Sequence, residues 1–377
     1  MKYPIFGMMV VFLLFSMDEG QVQPEKRVED GVEVVANHMK PYKIEDQPRQ
    51  LNLEKFFSIN TADETMLTLG LTEIETFDVD SKGNIFIIRW RASENYVFKF
   101  DSEGKFVKSF VRRGQGPGEI EWGGTLVIDS QDKIIAKDPS KSKFLVYDNE
   151  GNYLREGFLS RNIGIEAPLP NGGYLISWQE ITPELGINHV GLCDSGFGNI
   201  RTLAVQNVPN PMAAEKIKVG EEQLIQTASK SRIYVGYSGN GYEIKVYDLE
   251  GKLFRKIRKK YDRVKIQEDE KRGFLGLIQR SPDRDKYFFA DYWPAFRYCF
   301  VDEEERLFIM TYEKGKNLKE AIYDVFNSEG IFIARTSFSN VGTPFVLPVR
   351  AKKDHIYCLR EVEEGYKELV VYKAYWK

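Results

Sequence analysis

The chain has 377 residues, 42% of them apolar, which allows one large all-β domain or two ordinary domains around a real core. Aromatic residues reach 13%, with 25 Phe and 20 Tyr, and this favours strands over helices because such side chains pack well on a pleated surface. With 53 basic and 56 acidic residues the formal charge is -3, so no basic field points to nucleic acid and no acidic tail to a solvating segment.

At the N-terminus, Lys2 precedes a nearly uncharged apolar run, Ile5 to Met17, and Asp18 and Glu19 follow at once. The run is too short to span a bilayer comfortably and fits the core of a signal peptide. Residues 1–20 are therefore expected to direct export to the periplasm, the cell surface or the medium, with membrane contact through this segment only. No Cys follows the run, so a lipid-anchored N-terminus is not supported. Residues 21–48 read as a linker, and residues 49–377 as the folded domain. Cys193, Cys299 and Cys358 match no zinc spacing and fall in expected strands, where they read as buried free thiols.

Two interleaved repeats run through the folded part. In the first, an apolar strand, a turn and a second apolar strand recur, as in FDVDSKGNIFII from Phe77 and LVIDSQDKIIAK from Leu126. The residues opening the second strand are Ile85, Ile134, Tyr174, Ile233, Leu307 and Ile356. The widest gap, 74 residues between Ile233 and Leu307, contains an insertion, assigned to Lys259–Phe296. The second repeat is a hairpin built on Asp-x-x-Gly: FKFDSEGKFVKSF from Phe98, LVYDNEGNYLREGF from Leu145 and KVYDLEGKLFRKI from Lys245. Asn327 replaces the Asp in a further copy, and GLCDSGFGNIRTL from Gly191 is a stretched one. The carboxylate or amide bonds the turn backbone, and Gly104, Gly151, Gly251 and Gly330 take the positive φ of a tight turn.

Each unit is thus two hairpins, and six units predict an all-β, six-bladed β-propeller of four-stranded antiparallel blades. The last unit ends at Lys377 after ELVVYKAYWK, one strand short. The strand-like stretch RQLNLEKFFSIN, Arg49 to Asn60, is the natural donor of the missing strand, closing the ring and removing an open sheet edge.

The Asp-x-x-Gly-x-aromatic hairpins, with the loop RRGQGPGE from Arg112 to Glu119, resemble exported bacterial six-bladed propellers of the NHL-like type. The resemblance covers Arg49 to Lys377. It implies a ligand-binding or interaction module whose partner is a protein, a glycan or another ligand.

Strand alternation places the loops between second and third strands on one face, together with the blade-to-blade connections. That face carries the long, chemically varied loops. Within the insertion, Gln267–Arg280 reads as a short helix, and the aromatic tract Tyr287–Phe296 as a cover over the face. The candidate ligand-binding residues are Arg89, Arg91, Arg112, Arg113, Glu119, Trp122, Trp178, His189, Tyr237, Trp293 and Tyr312. They are mostly cationic or aromatic residues at loop-face strand ends, the types that dominate binding hot spots.

No catalytic residue and no metal ligand stands out. GQGPGE lacks the following Lys-Ser/Thr and helix of a phosphate loop. The acidic clusters EKRVED, DEEE and EVEE lack the alternating spacing of a calcium loop, so calcium has no motif behind it and no other cofactor is implied. The expectation is a monomeric, non-enzymatic, extracytoplasmic binding module for a protein, glycan or small molecule. The rival is a metal-dependent propeller enzyme, a lyase or a lactone or ester hydrolase, acting in the central channel.

Overall fold

The computed structural model describes residues 23–159, 163–210, 213–315, 320–339, 346–362 and 365–377. The apolar run Ile5 to Met17 lies outside them. Six mainly antiparallel sheets form the blades of a propeller. The first strands, Thr76–Val79, Leu126–Ile128, Ile163–Pro168, Leu224–Ala228, Tyr298–Val301 and Val349–Lys352, line the central channel. The second strands begin at Ile85, Ile134, Tyr174, Ile233 and Leu307, as the repeat predicts, and at His355, one residue early, in blade 6.

The hairpin chemistry holds at each turn. Asp101 Oδ1 accepts the amide N–H of Glu103 at 3.0 Å and of Lys105 at 2.8 Å. Asn327 does the same for Glu329 and Ile331 at 3.1 and 3.0 Å. Gly104, Gly151, Gly251 and Gly330 all have φ between 77° and 82°. In the stretched copy Phe197 takes that place at φ 62°, held there because its ring stacks on Tyr174 with centroids 4.9 Å apart. The turn glycines also serve blade packing: a Cβ on Gly104 would lie 2.5 Å from the Phe57 ring, and one on Gly330 2.7 Å from Ile257.

Ring closure follows the expected route. Leu51–Asn60 pairs antiparallel with Lys367–Trp376 as the outer strand of blade 6, in a register running from Glu368↔Asn60 to Trp376↔Leu51.

The segment expected as a linker is different. Glu25–Glu29 and Val32–Asn37 form a hairpin whose second strand pairs in parallel with Leu253–Lys259, the outer strand of blade 4. Blade 4 is therefore part of a six-stranded sheet. Val34 and Val35 are fully buried there, which is the reason the segment is ordered. Asn37 then bridges to blade 5: its Nδ2 donates to Gly330 O at 2.9 Å, and its Oδ1 accepts from Phe332 N at 2.9 Å. Tyr42 N donates to Phe332 O at 2.8 Å before the chain reaches blade 6.

The insertion is also narrower than Lys259–Phe296. Lys259 ends the outer strand of blade 4, while Ala295 and Phe296 are buried in the core between blades 4 and 5. The end of the aromatic tract is thus core and does not cover the face. The true excursion is pinched at its base by Ile266 N to Asp291 O at 3.0 Å and Trp293 N to Val264 O at 2.8 Å. Above the pinch stands the helix Glu268–Leu277, started by a capping box between Gln267 and Glu270. Tyr287–Phe289 then pairs in parallel with Ile217–Val219 from the connection between blades 3 and 4. Replacing Gln267–Ala290 by a short Gly-Ser turn across that pinch is expected to cost no more than about 2 kcal/mol, since no helix residue is buried. Urea unfolding measures this; an unfolded product would make the excursion part of the core.

Cys193, Cys299 and Cys358 are buried and free. Burial pushes the thiols of Cys193 and Cys358 up to about 12 and moves Cys299 in the same direction, so all three remain neutral side chains of the core. Among the described residues, no helix is long and apolar enough to cross a membrane.

Candidate functional site

Backbone hydrogen bonds tie the loop face together at blade 1. Arg113 N donates to Glu94 O at 2.6 Å and Gly123 N to Trp90 O at 3.1 Å, joining the second-to-third-strand loop to the connection that leaves the blade. The RRGQGPGE loop closes on itself. The Glu119 carboxylate accepts from Gly116 N at 3.0 Å, and it lies so close to Gly114 that a Cβ there would sit 2.0 Å from Oε2. Gly114 is therefore required for the close approach, and Glu119 is a clamp within the loop.

Held by this loop, Arg91, Arg113 and Trp122 line a groove of about 470 Å³ between blades 1 and 2. The Arg91 guanidinium sits 5.5 Å from the Trp122 ring centroid, and Trp90 packs beside Trp122 at 5.9 Å. Both tryptophans are 37% exposed. Glu121, the carboxylate on the groove wall, is engaged by Lys141 at 3.2 Å. Arg112 is exposed on the strand beside the groove but does not line it.

A second cavity, of about 700 Å³, opens between blades 3 and 4. Trp178 and His189 are cross-strand partners on its wall, their rings parallel within 3° and 4.6 Å apart. The indole N–H donates to Glu180 Oε1 at 3.3 Å. Amides complete the wall: Gln179 Nε2 donates to Asn188 Oδ1 at 2.8 Å, and Gln206 Nε2 to Glu222 O at 2.7 Å. Two groups there are buried without a hydrogen-bond partner, the imidazole nitrogens of His189 and Oε1 of Gln226.

The remaining candidates do not join either site. Arg89 is 5% exposed, with its guanidinium donating to Gly70 O and lying over the Phe98 ring at 5.5 Å. Burial lowers its pKa, and its place is structural. Tyr237 packs over Gly239, where a Cβ would meet its ring at 2.5 Å. Trp293 and Tyr312 stack at 4.7 Å and 7°, with Arg297 over Tyr312 at 5.0 Å and the Trp293 indole N–H on Glu270 at 3.3 Å. They strut the insertion helix against blade 5.

The central channel holds a cavity of about 790 Å³ that opens among the hairpin turns of the opposite face, at Asp129, Asp132, Lys230, Glu303 and Lys352. Asp78 on its wall accepts from Val79 N and Ile128 N at 2.9 and 2.8 Å, and Arg350 Nε lies 3.7 Å away. Burial raises the Asp78 carboxyl above its ordinary range, with Arg350 opposing. Among the described residues no three His, Cys, Asp or Glu side chains are grouped to hold a metal ion.

The sequence reading missed Gln206 and Gln226. Isolated glutamines 20 residues apart carry no motif, and only blade packing brings them to one cavity.

No curated protein matches the chain significantly. Among solved structures, a candidate exported protein of Bacteroides fragilis is similar at 11% identity and TM-score 0.46, over 91% of this chain and 99% of that one. A DUF4221 family member from Bacteroides vulgatus is similar at 12% identity and TM-score 0.49, over 88% and 100% of the two chains. A virginiamycin B lyase from Staphylococcus aureus is similar at 11% identity and TM-score 0.38, over 85% and 99%. A family model described as a 6-bladed beta-propeller, DUF5128, matches residues 25–332, from the N-terminal hairpin to the start of the fourth strand of blade 5, and the chain belongs to that family.

Proposed function

We propose that this protein is a non-enzymatic binding module that works outside the cytoplasm through the loop-rich face of its propeller. The groove between blades 1 and 2 carries this reading. Two guanidiniums, Arg91 and Arg113, lie there beside half-exposed tryptophan. Arginine and tryptophan dominate binding hot spots because they donate several hydrogen bonds or bury a large flat area. The groove's own carboxylate, Glu121, is taken by Lys141, and among the described residues neither guanidinium pairs with a carboxylate there, Arg113 donating only to Ala92 O at 3.4 Å, so both keep donors for an anionic partner. The chemistry fits a partner that sets an anionic group beside a flat apolar one, on a protein, a glycan or a small molecule. Export rests on the apolar run Ile5 to Met17.

The test is calorimetry with a ligand recovered from arrays of acidic peptides and charged glycans. The double variant Arg91→Ala, Arg113→Ala is expected to bind at least about tenfold more weakly and with less dependence on salt. Unchanged binding would move the site off this groove. Turnover of the ligand, or one tightly held metal ion per chain in elemental analysis, would favour a propeller enzyme instead.

A further inference from the structure

The first strands of the blades touch one another in ring order, blade 6 returning to blade 1, so blade 3 stands across the channel from blade 6. Their registers define one level of the channel wall. Asp78, Val127, Ala167, Thr227, Phe300 and Arg350 pair with Phe86, Ile135, Leu175, Tyr234, Phe308 and Tyr357, each the second residue of its repeat. All six border the cavity of about 790 Å³. Four blades meet the packing need at this level with valine, alanine, threonine and phenylalanine. Blades 1 and 6 put a carboxylate and a guanidinium there instead.

Both charged side chains reach open space, Arg350 at 33% exposure and Asp78 at 16%, and the space they border is the channel. Arg350 Nε lies 3.7 Å from Asp78, beyond hydrogen-bond reach. Among the described residues its guanidinium donates from Nη1 to Val349 O at 3.2 Å, which leaves most of its five N–H donors for another acceptor. Burial works against its charge, but Tyr298, Asp78 and Glu166 hold its pKa above the ordinary value, so it stays a cation. Asp78 accepts from Val79 N and Ile128 N, one on each oxygen, and so fixes one side of the guanidinium.

Across the ring, blade 3 alone breaks the register of its first two strands. The pairing shifts between Ile165 and Ala167, and the extra residue is Glu166. A bulge of this kind re-aims a side chain, and Glu166 borders the channel. Its Oε1 accepts from Ser177 Oγ, which steadies the carboxylate and leaves Oε2 for a donor. The carboxylates at the mouth are engaged by turns: Asp129 accepts from Gln131 N and Asp132 from Ser81 N, both at 2.8 Å.

These signs select the occupant. A simple anion on Arg350 would leave Glu166 without a donor, and a simple cation on Glu166 would leave Arg350 without an acceptor. A neutral molecule would leave both charges desolvated and unpaired. A molecule with one charge of each sign satisfies both walls, its carboxylate matching the flat fork of the guanidinium. We propose that the central channel binds a small zwitterion, a free amino acid or a dipeptide, with its carboxylate on Arg350 and its ammonium on Glu166. The cavity volume lies in the ordinary range for a small-ligand site. The site lies on the axis and opens on the face opposite the Arg–Trp groove, so it stands or falls independently of that groove.

Calorimetry on the full chain with leucine, phenylalanine, methionine, glutamate, lysine and dileucine tests the proposal, beside N-acetylleucine, leucinamide, succinate and putrescine. At least one zwitterion is expected to bind. N-acetylleucine lacks the ammonium and leucinamide the carboxylate, and each is expected to bind about tenfold or more weakly than leucine. Glu166→Gln keeps an acceptor for Ser177 and removes the charge; Arg350→Met removes the guanidinium. Each is expected to weaken zwitterion binding about tenfold or more. Should Arg350→Met fail to fold, Glu166→Gln alone decides the point. The Arg91→Ala, Arg113→Ala variant should bind the same zwitterion unchanged; a loss there would place it in the other groove and overturn the proposal. No binding of any zwitterion at about 10 mM would overturn it, since that is weaker than specific recognition. So would tighter binding of succinate or putrescine, equal binding of leucine and N-acetylleucine, or wild-type affinity in Glu166→Gln.

Discussion

Replacing Asp324 by leucine is expected to destabilise the propeller by about 3–5 kcal/mol, the usual cost of stranding a buried charge. Asp324 is fully buried between blades 4 and 5 and lies 3.2 Å from Nζ of Lys259, whose side chain is 1% exposed. It also accepts from Tyr242 Oη at 2.9 Å and from Arg335 Nε at 2.9 Å. The Lys259 ammonium sits between two rings, 5.1 Å from Tyr242 and 4.9 Å from Phe332. Cation–π attraction of this sort contributes, yet it does not replace a carboxylate. Arg335 keeps a second partner, Glu313, at 2.8 and 3.0 Å, so Lys259 is the group left uncompensated.

The sign of the pH dependence follows. Burial already lowers the Lys259 pKa below its ordinary 10.5, and Asp324 opposes that shift. Without Asp324 the folded-state value falls further. Between that value and 10.5 the unfolded chain binds more protons than the folded one, so stability of the variant rises with pH across this window. The double variant Asp324→Leu, Lys259→Met removes both charges and should recover most of the loss. Urea unfolding at several pH values measures all three chains. A single variant that unfolds at the wild-type midpoint would show that the cluster does not clasp the two blades.

Truncating the chain to begin at Thr61 is expected to abolish the soluble monomer. The loss exposes the backbone of Lys367–Trp376 along its whole length, an open and largely apolar edge of the kind that recruits other chains. It also removes Ile59, 2% exposed in the core shared by blades 6 and 1, and Phe57, whose ring covers Gly104 of blade 1. Blade 6 would then lose both its outer strand and part of its seam with blade 1. A truncation beginning at Arg49 keeps the closing strand and loses the hairpin, the Asn37 bridge and the buried Tyr42 with its bond to Phe332. It should remain monomeric, with a smaller loss of stability. Size-exclusion chromatography separates the two outcomes. A chain starting at Thr61 that stays monomeric and melts as the wild type does would refute closure as a source of stability.

The same two regions mark what a sequence can and cannot say. Asp30-Gly31 between two alternating stretches is a hairpin signal, and both residues have positive φ in the structure, 50° and 77°. The surrounding charges in EKRVEDGVEV concealed it, since they read as a solvated linker. Its partner strand was beyond reach: Glu33 lies opposite Arg255. Parallel pairing at that separation leaves no local trace, because no turn connects the strands.

The candidate site divides along the same line. Arg91, Arg113 and Trp122 are near one another in sequence, and the loop that gathers them has its own glycines and its own clamp, Glu119. The sequence named these three residues, and the structure places them along one groove. Trp178, His189 and Gln226 stand on two blades, and whether their polar atoms find partners depends on packing that no motif encodes.

By itself, then, the sequence determined the blade, the blade count and the closing strand. Each of these rests on interactions within about a dozen residues or on a repeat: a side chain bonding its own turn, a glycine at positive φ, apolar alternation along a strand. The tertiary structure alone decided that the N-terminal hairpin joins blade 4, that Arg89 and Phe296 are interior, and that Trp178, His189 and Gln226 border one cavity. Those outcomes depend on which buried surfaces meet around the ring, and burial is a property of the assembled blades that no single segment carries.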